Sequence, residues 1–376
     1  VGHLRQLVVV LLLRLLLWPV LLLWTLLALA WLALHWLILP HIEEWRAPIE
    51  RHASAALGVP VIIGGITVRS SGWVPALELR DVKLLDAQQR TALHLPRIAV
   101  AISPQSLLDF RVNFDQLLIE GAELDVRRSA EGRVFVAGLD LSGGAGGDEH
   151  AAADWFLSQS EFAIRGGTLR WTDEQRGAPT VALTDVQLVM RNGLLTHDMR
   201  LDATPPPEWG ERFNVTARFT QPLLAASSQW QRWSGRAFIG LPRADLSQLR
   251  SHAELPFNLS QGQGALRAWF ELRDGMVHAA TVDVSLNQVV LRLGPRVDEF
   301  RIEQLQGRVD AQRDDQGATL SLERFSFVTS DAMRWPGGDL KLKLHQRGNE
   351  PPSGGEFSVQ HLDLELMAQI ASRVPI

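Results

Sequence analysis

From residue 61 onward, apolar and polar side chains alternate with a period of two almost to the end of the chain. Alternation sends successive side chains to opposite faces of a sheet, so the pattern predicts half-buried strands. Strands are predicted over 62–68 with a bend at Gly64-Gly65, over 76–85 with a break at Arg80-Asp81, and over 94–102. Others follow at 113–120, 122–128, 133–137, 162–165, 168–171, 180–191, 199–203, 213–220 and 235–241. The last set covers 266–272, 277–293, 300–309, 318–328 and 339–345. In that final strand Leu340, Leu342 and Leu344 alternate with Lys341 and Lys343, which gives it two chemically distinct faces.

The period changes ahead of the strands. Residues 15–34 hold no charge and no amide side chain, and as a helix they would span ~30 Å, the thickness of a bilayer's hydrocarbon core. Leu15, Trp18, Trp24, Trp31 and Leu34 mark this expected transmembrane anchor. A cleaved signal peptide is the competing reading, with Arg5 and Arg14 in front and Ala28-Leu29-Ala30 as a small-x-small site. The apolar run continues through Leu39, beyond the ~7–15 residues of a usual signal core, which favours the anchor. Residues 40–57 read as a juxtamembrane amphipathic helix with Ile42, Trp45 and Ile49 on one side, ended by Gly58-Val59-Pro60. It would lie on the membrane surface or cap the first strand.

Short helices are expected at 103–108, at 245–250 with Asp245 as cap, and at 362–371. Residues 142–153, SGGAGGDEHAAA, interrupt the strands; Asp148-Glu149 argue against a phosphate loop, so the stretch reads as a flexible linker. The chain thus divides into a tail and anchor (1–39), the helix (40–58), a first β segment (59–141), the linker (142–153) and a second β segment (154–376). Two echoes run through it. Residues 119–126 (IEGAELDV) resemble 164–171 (IRGGTLRW), and 77–84 (LELRDVKL) resemble 181–188 (VALTDVQL). A recurring strand–bend–strand unit suits a stacked or groove-like β architecture.

Composition narrows the function. Net charge is −5 with signs interspersed and no dense basic patch, which argues against nucleic acid as a partner. The chain has no cysteine, which fits an oxidising compartment and leaves a structural zinc site without its usual ligands. Its 11 histidines are scattered, with no H-x-H or H-E-x-x-H pair. Asp314-Asp315-Gln316-Gly317 lacks the spaced carboxylates of a calcium loop and reads as a hairpin turn. There is no G-x-S-x-G elbow. No catalytic residue, cofactor or metal site is expected, and the protein reads as a non-enzyme.

Several segments in order, LGVPVIIGGITV, WVPALELRDVKLLD, FDQLLIEGAELDVRRSAEGRVFVAGL, WSGRAFIGLPRADL and MRWPGGDLKLKL, resemble the YhdP family of AsmA-like envelope proteins. The resemblance runs from about Leu32 to the end. It implies a mainly β protein: a transmembrane helix followed by an extended, twisted antiparallel β-sheet groove with a few short helices. It further implies a single-pass bacterial inner-membrane protein with its body in the periplasm. Such a protein would carry phospholipid toward the outer membrane and meet further envelope proteins there. Leu124, Val126, Leu169, Trp171, Leu340, Leu342 and Leu344 are the candidates for a groove floor. The alternative is a non-enzymatic scaffolding or assembly protein whose apolar stripes form a closed β core with no lipid cargo.

Overall fold

The computed structural model describes residues 39–57, 59–69, 76–85, 91–102, 114–136, 139–140, 159–223, 225, 229–249, 252, 258–292, 299–314, 317–335, 337–345 and 354–359, with parts of 17–36. These form one large twisted sheet with a few short helices. The first strands are β1 (Val61–Ile62), β2 (Gly65–Arg69), β3 (Ala76–Leu85), β4 (Thr91–Ile102), β5 (Phe114–Glu120), β6 (Glu123–Arg128), β7 (Val134–Val136) and β8 (Leu139–Asp140). Next come β9 (Glu161–Asp173), β10 (Ala178–Asn192), β11 (Thr196–Thr204), β12 (Phe213–Thr220), β13 (Ser234–Asp245) and β14 (Asn258–Arg273). The sheet finishes with β15 (Met276–Arg292), β16 (Phe300–Asp314), β17 (Gly317–Thr329), β18 (Arg334–Trp335), β19 (Leu340–His345) and β20 (Gly354–Val359).

From β9 to β17 each strand pairs antiparallel with the next, and β17 continues through β19 to β20. At the other end β1 and β2 both pair with β3, which leads through β4 to β5. The expectation of a purely antiparallel sheet fails at one junction: β5 and β6 run parallel to β9. The register holds a constant offset of 45 residues, from Leu117 opposite Phe162 to Arg128 opposite Asp173. Residues 119–126 and 164–171, which echo each other in sequence, lie side by side.

Both members of that pair bend at one level. Gly121 (φ 69°) and Gly166 (φ 61°) adopt the left-handed conformation that a Cβ disfavours, and the Gly121 N–H donates to the Arg165 carbonyl at 2.9 Å. Asp81 (φ 50°) in β3 and Asp185 (φ 46°) in β10 make the same bend in the second echo. Each bend shifts the alternation by one residue, so Leu77 and Leu79 share a face with Val82 and Leu84. The bends preserve the apolar face while turning the strand.

Over the first strands this face is covered. A 3-10 turn (Leu39–Trp45) and helix α1 (Arg46–Leu57) press Ile42, Ile49 and Ala53 onto a cluster containing Ile63, Ile66, Val82, Leu95, Ile98 and Ile119. Ile63 and Ile66 are each 1% exposed. Trp45, expected on the buried side, is exposed because the helical period tightens ahead of it. The same helical segment satisfies the outer edge of the sheet. The N–H groups of Val61, Ile63 and Ile66 donate to Ser54 Oγ (2.8 Å), Glu50 Oε1 (2.7 Å) and Glu43 Oε1 (3.4 Å). An edge whose donors are occupied offers no template for another strand.

The anchor lacks structural support. Among the described residues no helix is long and apolar enough to cross a membrane. Trp18, Trp24 and Trp31 lie on short described helical stretches and are exposed, whereas Leu15 and Leu34 lie outside the described residues. The expected helices at 103–108 and 362–371 and the linker also lie outside them. Helix α2 (Leu246–Leu249) forms as expected, with Asp245 Oδ1 accepting the Ser247 N–H at 3.0 Å.

Candidate functional site

Beyond the part covered by α1, the apolar face continues across β10 to β20. The registers set its rows. Leu188 lies opposite Leu201, Leu201 opposite Val215, Val215 opposite Ile239, and Ile239 opposite Ala268. Ala268 meets Val282, Val282 meets Val309, Val309 meets Leu322, and Leu322 meets Leu340. A second row runs from Met199 through Ala217, Ala237, Phe270, Ala280, Ala311 and Leu320 to Leu342. The described side chains directed to this face on β10–β17, β19 and β20 include no Asp, Glu or Lys, and Arg313 is the single arginine.

The opposite face holds the charge. Arg218 pairs with Asp198, Arg236 with Glu271 at 3.3 Å, and Arg308 grips Asp283 through two bonds of 2.7 and 3.0 Å. The Arg308 hydrogen bonds outweigh burial and hold the Asp283 carboxyl below the usual carboxylate range.

A second cluster, with Leu246, Leu259, Val289, Ile302, Phe327 and Trp335, seals the apolar face where α2 packs beside β14. Elsewhere on β11–β20 the main contacts among described elements join neighbouring strands. Many apolar side chains there are only half-buried; Leu320 is 39% and Phe357 60% exposed. Toward the strand ends near 278, 313, 318 and 344, the face sinks into a depression of about 330 Å³, at the lower end of the ~300–1,000 Å³ typical of small-ligand sites. Ala280, Ala311, Ala318, Leu320, Leu342 and Leu344 line it.

The predicted floor residues fall into two groups. Leu124 lies opposite Leu169, and Val126 opposite Trp171, on the parallel junction; Leu169 and Trp171 then meet Leu183 and Val181 of β10. Leu340, Leu342 and Leu344 lie opposite Leu322, Leu320 and Ala318, with Leu342 and Leu344 in the depression. All seven are on the apolar face, but Leu124 packs against the cluster under α1 and Leu340 against the second cluster, while Leu342 and Leu344 stand in the depression. Sequence reading missed Met199, Phe270, Val282 and Val309, although their alternation was visible, because their shared face depends on pairing between strands.

Two polar groups finish the face. Asp173 is buried at the end of β9, where Arg128 holds it bidentately and the Arg176 N–H donates to it at 3.2 Å. Burial pushes its carboxyl up, but these bonds prevail and hold it below the ordinary value. At the start of β11, buried His197 stacks on Trp233 at 4.0 Å and meets Asn192 Oδ1 (2.7 Å) and Gln221 Oε1 (3.1 Å). Burial lowers its pKa, against the raising effect of Gln221. No group of His, Asp and Glu suited to a metal occurs among the described residues.

A single twisted sheet with one charged and one apolar face, the apolar face sealed under α1 and at the second cluster beside α2 and half-exposed elsewhere, defines a β protein whose open surface is suited to apolar contact. A sequence model of the YhdP protein family matches residues 6–376, and the chain belongs to that family. Comparison with curated proteins and with solved structures gave no match.

Proposed function

We propose that the protein transfers phospholipid, holding acyl chains against the apolar face of β10–β20 as on the floor of a groove. The observation that carries this reading is the row of uncharged, half-exposed side chains across those strands, with no Asp, Glu or Lys among them. Each acyl methylene moved from water to such a surface gains ~0.8 kcal/mol. Membership of the YhdP family supports the same reading. In the cell the protein would be anchored at the inner membrane with its body in the periplasm, passing lipid toward partners at the outer membrane. No step requires a catalytic group or cofactor. A closed scaffold core is favoured where α1 covers the first strands and at the second cluster beside α2.

The test is transfer of a fluorescent phospholipid between donor and acceptor vesicles. The wild-type chain accelerates transfer, and Leu342→Glu, which puts a charge into the apolar face, removes most of the acceleration. Equal rates with and without protein would reject the reading.

A further inference from the structure

The apolar face carries one anomaly, Arg313, and it stands at the rim of the 330 Å³ depression. Arg313 lies opposite Ala318, which lies opposite Leu344, so the arginine ends the row next to Ala311–Leu320–Leu342. His278 also lines the depression, one step beyond the Ala279–Gln312 pair and therefore level with Arg313 on the neighbouring strand. Three other arginines of the sheet, Arg218, Arg236 and Arg308, point to the opposite face and have carboxylate partners there. A guanidinium on an otherwise uncharged surface, beside an apolar cavity, has the layout of a site for an anionic amphiphile.

We propose that Arg313, assisted by His278, binds the phosphodiester of a membrane glycerophospholipid while one acyl chain enters the depression lined by Ala280, Ala311, Ala318, Leu320, Leu342 and Leu344. This rests on the acyl-binding reading above and adds the headgroup chemistry and its place on the sheet. The guanidinium fork donates two parallel hydrogen bonds to phosphate oxygens, and the imidazole supplies a further donor. The seat recognises the phosphate common to glycerophospholipids and discriminates against diacylglycerol, which has the same chains and no phosphate.

The experiment uses the full chain with a photo-crosslinking residue at Leu342, incubated with vesicles of phosphatidylcholine containing equal amounts of phosphatidylglycerol and diacylglycerol. Lipid adducts are identified by mass spectrometry. A charge-assisted bidentate contact should favour the phosphatidylglycerol adduct over the diacylglycerol adduct by about tenfold. Arg313→Gln should bring that ratio close to one with total adduct yield largely kept, and Arg313→Lys should restore part of it. A ratio near one in the wild type, or an unchanged ratio in Arg313→Gln, overturns the headgroup seat while leaving acyl binding intact. No adduct with any lipid at Leu342 overturns the acyl-binding reading and the seat with it.

Discussion

The two ends of this sheet use one residue pattern for different purposes. Around β1–β5, alternating Ile, Leu and Val side chains are sealed by α1, and the outer edge has its donors occupied by Ser54, Glu50 and Glu43. Around β15–β20 an equivalent alternation is sealed only toward Val289, Ile302 and Phe327; toward Ala280, Ala311, Leu320 and Leu342 it is left half-exposed or open, and the last strand, β20, is largely exposed along its length. The strands are not what differs. The contrast lies in whether a helical segment was placed over the apolar face, so alternation alone marks a face for burial without saying what buries it.

Substitutions that mean the same thing chemically should therefore act differently at the two ends. The largest contrast is a buried charge. Val82→Glu places a carboxylate in the sealed cluster, where nothing compensates its desolvation, and should prevent cooperative folding altogether. Leu342→Glu should leave circular dichroism and the unfolding midpoint nearly unchanged while abolishing lipid transfer. If both variants unfold, the β19 face is a closed core too.

Truncation gives a graded version. Ile66→Ala removes a side chain that is 1% exposed and should cost about 2–5 kcal/mol in denaturant unfolding. Leu320→Ala, at 39% exposure, should cost about 1 kcal/mol or less because much of its surface is already in contact with solvent. Equal costs would erase the distinction.

A third contrast concerns the buried pair at the junction. Arg128→Ala leaves the buried Asp173 without its main partner and, among the described residues, with only Arg176 beside it, so a loss of about 1–3 kcal/mol is expected. Because the folded carboxyl titrates below its unfolded value of about 3.9, its contribution is complete above that pH and is lost as pH falls through the lower folded value. Stability of the wild type measured on acidification should therefore fall more steeply below about pH 4 than that of Arg128→Ala. Parallel curves would remove Asp173 from the account.

The most local effect concerns the edge. Glu50→Ala leaves the Ile63 N–H without its 2.7 Å acceptor and should cost about 1–2 kcal/mol. Hydrogen exchange at Ile63 should accelerate, with little change at residues of β16. Unchanged protection at Ile63 would mean that the edge is held by packing alone.

Much of the fold was legible. The period of two gave nearly every long strand, and the Arg80-Asp81 break proved to be a left-handed bend at Asp81. Residues 162–165 and 168–171 form one strand, because the bend at Gly166 does not interrupt pairing with β5 and β6. The echoes were visible, but the parallel register behind one of them was not, since residues 45 apart pair through tertiary placement and no local turn announces it. β20 was missed: its Gly354-Gly355 start resembles a loop, and pairing with β19 overrides that local preference. That the helical segment caps the first strand was an open reading of the sequence; that Glu43, Glu50 and Ser54 supply the acceptors was not visible, because which side chains reach the edge depends on how the segment packs. Arg313 sits at an apolar-face position that emerges only from its register with Ala318.

The central claim is that lipid contacts one face of this sheet and not the other. Photo-crosslinking residues at Leu342 and, separately, at Lys341 place the same probe one residue apart on opposite faces of β19. In phospholipid vesicles the Leu342 probe should give acyl-chain adducts by mass spectrometry and the Lys341 probe essentially none. Equal adducts at both positions, or none at Leu342, would contradict the account.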